Sequence, residues 1–84
     1  MFVAKIVVMP KKEVLDPQGA AVERAVGVMG FSAVGDVRVG RMIEMKIDGV
    51  DKAAAEAMVR EMADKLLANP VIETYRFSLE EATS

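Results

Sequence analysis

Few residues in this sequence carry side chains suited to covalent chemistry. Histidine and cysteine are both absent, which removes the commonest general base and the thiol nucleophile. The same absence excludes disulfides and leaves only oxygen donors for a metal ion. Ser32 follows a helical stretch, and Ser78 and Ser84 lie near the end of the chain; none has a base close by in sequence. Carboxylates are plentiful, but Glu56, Arg60 and Asp64 recur four apart, and Glu61 stands four before Lys65. That spacing describes a solvated helix face rather than an acid–base pair. Glu44, in the middle of a strand-like stretch, reads as a solvent-facing residue. Gly27 and Gly30 fall in and after a helix, so no phosphate-binding loop or dinucleotide fingerprint is present. The most distinctive run is Val37-Arg38-Val39-Gly40-Arg41. It has two readings: a half-exposed strand with two surface arginines, or a contact patch whose guanidiniums reach carboxylates of a partner.

The elements that hold these residues follow from periodicity. Phe2–Met9 is short, rich in Val and Ile, and ends at Pro10, as a well-buried strand should. Asp16-Pro17 starts a helix: Asp accepts from free amides and Pro fits the first helical position. Val22, Ala25, Val26 and Met29 then make an apolar face, and Gly30 closes a helix over residues 17–29. From Val34 the period becomes two, with Val37, Val39, Ile43, Met45 and Ile47 on one side, until Asp48-Gly49 turns the chain. A second helix over residues 51–68 is expected to bury Ala55, Met58, Met62 and Leu66, and Asn69-Pro70 stops it. A last strand, Val71–Leu79, alternates Val71, Tyr75, Phe77 and Leu79 with polar residues, and Glu80–Ser84 is expected to be a frayed tail.

This order predicts one α+β domain over residues 1–84, with an antiparallel sheet covered on one face by two helices. The middle strand is too long for it. Residues 36–48 fully extended would span roughly 43 Å at about 3.3 Å per residue. A compact domain of this size is roughly 30 Å across. Either the strand breaks at Gly40, giving a ferredoxin-like β-α-β-β-α-β unit, or it projects and pairs with another copy. Unbroken alternation would also put Arg41 on the apolar side, which favours a bulge at Gly40. So short a chain has a small core, and with disulfides excluded, oligomerisation is the expected reinforcement.

Composition narrows the function further. At 52% hydrophobic and 29% charged residues the chain is globular. Its net charge of −2, without a basic block, gives nothing to attract nucleic acid. The middle strand also lacks the aromatics that stack on RNA bases. Phe2–Met9 falls far short of a membrane span of about 20 residues and has no signal-peptide flanks, so a cytoplasmic protein is expected. The seven methionines read as core filler. A chain without a reacting group of its own fits these observations, and a homo-oligomeric regulatory module that binds a small metabolite is one reading of it.

Three segments taken together resemble one family. Leu15-Asp16-Pro17-Gln18-Gly19 with Ala21-Val22-Glu23-Arg24-Ala25 resembles its first-helix signature. Val37-Arg38-Val39-Gly40-Arg41 with Ile43-Glu44 resembles its middle strand, and Ala68-Asn69-Pro70-Val71-Ile72-Glu73 with Tyr75 its last. The family is the PurS small subunit of phosphoribosylformylglycinamidine (FGAM) synthase. The resemblance implies a subunit without a reacting group, joining a large ATP-dependent amidoligase to a glutaminase in purine synthesis. It implies dimers or tetramers of ferredoxin-like halves, sometimes with exchanged segments. No cofactor is expected on this chain, ATP and Mg being used by the large subunit. The contact surface is expected at Arg38, Gly40 and Arg41, with Asp16, Asn69 and Pro70 fixing the helix ends that present it. Position 41 is Arg where the family often has Lys, which keeps the charge and changes the hydrogen-bond geometry.

Overall fold

A computed structural model describes residues 1–82. The elements are β1 (Phe2–Pro10), α1 (Pro17–Val28), β2 (Arg41–Ile47), α2 (Lys52–Met62) and β3 (Glu73–Glu81), with α2 prolonged by a π-helical turn, Ala63–Leu67. The sheet has the order β2-β1-β3, and both pairings are antiparallel. This is the ferredoxin-like α+β class. β1 is central, which explains its apolar composition: Ala4, Ile6 and Val8 are fully buried. Burial of Ile6 or Val8 contributes about 1.5–3 kcal/mol each. Ile6 stands opposite Ile43 on β2 and Phe77 on β3, so the three strands build one apolar row across the sheet.

α2 lies over this row. Its buried stripe is Ala55, Val59 and Ala63, one step away from the expected Ala55, Met58, Met62 and Leu66. Alanine at 55 and 63 allows close approach to the sheet. The π turn then closes with Ala68 N–H donating to the Ala63 carbonyl at 3.0 Å. The wider turn brings Leu67 to the core and leaves Leu66 78% exposed. Met62 is partly buried, while Met58 faces solvent.

α1 behaves differently. Asp16 caps it and Pro17 opens it, as the sequence indicates, but only its Gly19 is buried. Val22, Val28, Met29, Phe31 and Val34 are exposed, so within one chain α2 alone covers the core and α1 stands at the periphery. The radius of gyration is 16.4 Å, against about 12 Å for a compact chain of this length.

The oversized middle strand is broken at Gly40. Only Arg41–Ile47 joins the sheet, and residues 37–40 lie along α1, held by Glu23 and Asp16, without strand partners among the described residues. Asp36 adopts a left-handed conformation, φ 54°, where the chain reverses from α1 into this segment. The break requires glycine: a Cβ at position 40 would collide with the Val8 carbonyl oxygen and the Met9 Sδ. The last strand also differs from expectation. Val71 and Ile72 sit in a turn held by Asn69, whose carbonyl accepts from Ile72 and Glu73 at 3.1 and 2.7 Å. Glu80 and Glu81, placed in a frayed tail by the sequence, pair with Val3 and Phe2. Ala82 N–H donates to the Met1 carbonyl at 2.9 Å, and residues 83–84 of that tail lie outside the described residues.

Two glycine substitutions separate these roles. Gly40→Ala is expected to lower the unfolding free energy by about 1–3 kcal/mol, because the backbone of β1 cannot yield. Gly27→Ala, where an added methyl meets nothing within 4 Å, should raise it by about 0.5–1 kcal/mol. Urea titration of the two variants checks both signs.

Candidate functional site

The Val37–Arg41 run is a strap tying three parts of the chain together. Its backbone is held by α1. Asp16 uses both carboxylate oxygens: Oδ1 accepts from Gly19 N–H at 3.0 Å, capping the helix, and Oδ2 accepts from Val39 N–H at 2.9 Å. About two turns further along, Glu23 Oε1 accepts from Val37 N–H at 3.1 Å. Gly19 leaves room for this approach, since a Cβ there would meet the Val37 carbonyl oxygen.

The side chains of the strap reach the other way. Arg38 donates to the carbonyls of Lys11 and Lys12 at 2.9 and 2.8 Å and lies 3.4 Å from Asp36. It therefore fixes the loop between β1 and α1. Arg41 forms a two-pronged pair with Glu73, at 2.6 and 3.1 Å, and also donates to the Leu67 carbonyl at the end of the π turn. Glu73 in turn accepts from Asn69 N–H at 2.8 Å. Asn69 Oδ1 accepts from Val71 N–H at 3.0 Å, shaping the turn that leads into β3. Pro70 has no N–H to offer and lines a small hollow with Ala63, Asp64 and Tyr75.

Thus Arg41 and Asn69 are joined through Glu73, and Asp16 meets the strap at Val39. Arg38, Gly40 and Pro70 lie next to these contacts without bonding to one another. The carboxylate that Arg41 grips belongs to its own chain. Glu73 and Glu23 were not singled out as site residues in the sequence. Glu73 follows Asn69 by four residues at the start of a strand, a weak signal; Glu23 offers none beyond its place on α1.

The contacts set the charge states. The amides of Gly19 and Val39 hold the Asp16 carboxyl below its ordinary range. The Arg41 guanidinium, then the Asn69 amide, do the same to Glu73, and Glu73 raises Arg41. Burial, then the nearby Asp64 carboxylate, pushes the Tyr75 hydroxyl up. Glu44 is exposed and stands across from Lys5, in agreement with a solvent-facing role. Among the described residues no three His, Cys, Asp or Glu side chains gather to hold a metal ion, and no helix is long and apolar enough to cross a membrane.

Fold and charges together define a small ferredoxin-like α+β subunit whose conspicuous polar residues serve as internal ties. Residues 3–81 match the family model described as PurS, phosphoribosylformylglycinamidine (FGAM) synthase, and the chain belongs to this family. It is 44% identical over 84 residues to the Bacillus subtilis phosphoribosylformylglycinamidine synthase subunit PurS, covering 100% of this chain and 99% of that protein. The structure of Methanocaldococcus jannaschii PurS superposes with a TM-score of 0.86 at 35% identity, over 99% of this chain and 100% of that one. That protein is described as one of the subunits of formylglycinamide ribonucleotide amidotransferase in the purine biosynthetic pathway. A chain in the structure of PurLQS from Thermotoga maritima matches at a TM-score of 0.83 and 26% identity, over 95% of this chain and 99% of that one.

Both carboxyls titrate lower in the folded chain than in the unfolded one. Their stabilisation is complete above the ordinary carboxylate range, about pH 4, and is lost as pH falls through the folded values. The urea midpoint is expected to hold between pH 7 and 5 and to fall below about pH 4.5. Glu73→Gln should lower it at pH 7 and flatten the fall; an unchanged pH profile in this variant would count against the clamp.

Proposed function

We propose that this chain is the non-catalytic adaptor of FGAM synthase, joining the large ATP-dependent amidoligase subunit to the glutaminase subunit in the cytoplasm. The observation that carries the proposal is the match along nearly the whole chain to PurS subunits, supported by likeness to a chain of PurLQS. An adaptor needs no reacting group of its own. Its contribution is proximity: two active sites held in one complex deliver ammonia from glutamine to the acceptor before water carries it away. ATP and Mg belong on the large subunit in this reading.

The same chain associates with itself. Among the described residues the outer edge of β2 has no partner strand, while residues 37–40 lie outside the sheet and α1 exposes Val22, Val28 and Met29. Two copies laid side by side would fill both deficits, each strap extending the other's sheet and each α1 gaining a surface to cover. Arg38, Gly40 and Arg41 lie in or beside the segment that would cross between copies, and Asp16, Asn69 and Pro70 anchor its two ends.

Amidation of formylglycinamide ribonucleotide by the large subunit and glutaminase, with and without this chain, tests the adaptor reading. Glutamine-dependent turnover is expected to require the chain, whereas saturating ammonium should largely relieve that requirement. Equal rates with and without it, and no co-migration with the other two subunits, would end the proposal.

A further inference from the structure

β3 forms the edge of the sheet opposite β2. It is nine residues long, Glu73–Glu81, and contains no proline. The backbone groups on its outer side have no strand partner among the described residues. Long unprotected edges are uncommon in isolated proteins because they recruit other strands. α2 runs along this edge. Lys52, Glu56 and Arg60, four residues apart, form one wall of a groove of about 470 Å³, with Tyr75, Arg76 and Phe77 along the other. Arg60 lies over the Phe77 ring, 5.6 Å from its centre.

The charge of this groove runs against that of the chain. Net charge is −2, yet three cations face a single carboxylate here. Among the described residues, none of Lys52, Arg60 and Arg76 forms an ion pair with a side chain. Arg41, by contrast, is fully engaged with Glu73. A strand edge flanked by unpaired cations and two aromatic rings suits an extended, acidic chain.

We propose that the outer edge of β3 takes up an extended acidic segment of a partner subunit as an added strand. Backbone bonds to β3 would supply the attachment, and alternate side chains the selectivity. Acidic residues on one side of the guest meet Lys52 and Arg60, and those on the other meet Arg76. The inference rests on the adaptor reading, because the guest belongs to another subunit of the complex.

Amide hydrogen exchange on the isolated chain and on the reconstituted three-subunit complex tests it, alongside affinity measured for Lys52→Glu/Arg60→Glu and for Arg76→Glu. Residues 73–81 should gain protection only in the complex. Each variant should keep its thermal midpoint and bind about tenfold or more weakly, with the loss growing at low salt. Protection of that edge already present in the isolated protein would show it covered by a second copy and overturn the proposal. A complex that forms with no change at residues 73–81 and full affinity in both variants would overturn it while leaving the adaptor reading intact. Failure of any complex to form would remove both.

Discussion

The Asp16 carboxylate decides how this chain is laid out. One oxygen caps α1 through Gly19 and the other takes the N–H of Val39, so the start of the helix and the segment before β2 are fixed to each other. Together with Glu23, which takes the N–H of Val37, Asp16 holds residues 37–40 on α1 and away from the sheet. The consequences spread outward. β2 begins only at Arg41, and among the described residues its outer edge has no partner strand and α1 buries only Gly19.

Arg41 secures the other end of the same strap. Its fork on Glu73 is a charge-assisted, two-pronged contact of the stronger kind, and the bond to Leu67 ties it to the end of the π turn. The two ties have different tasks. Asp16 sets where the strap leaves the body, and Arg41 sets where it re-enters the sheet. Gly40 between them permits the change of direction by resting against the β1 backbone. A chain built in this way has a small core of its own and large unsatisfied surfaces. That suits a subunit of a larger complex.

Much of this was legible in the sequence, for reasons that are local. Asp16-Pro17 marks a helix start through capping chemistry, and Asp48-Gly49 marks a turn, with Gly49 at φ 80°. Length showed that a strand of 13 residues could not fit one globule and so had to break or project; the place of Arg41 in the alternation favoured the break at Gly40. What escaped depended on distance or on rotation. The bond from Arg41 to Glu73 spans 32 residues, and no spacing rule reports it. On α2 the expected Ala55 is buried, but beyond it the buried face turns by one position, because helical periodicity favours large side chains such as Met58 and Met62, whereas packing on the sheet selects Val59 and Ala63. The apolar stripe of α1 stays exposed at Val22 and Met29; periodicity marks such a stripe but does not say whether anything in the same chain covers it. The three segments that resemble PurS depend on neither distance nor rotation, and they carried the function.

The central claim is that one copy of this chain is structurally incomplete and gains stability by association. The dependence of its thermal unfolding on protein concentration tests this most directly, because mass action stabilises any folded state that assembles. Tm is expected to rise steadily as the concentration is raised a hundredfold, with a sedimentation mass at or above that of a dimer. A Tm independent of concentration, together with a monomer mass of 9.1 kDa, would contradict it.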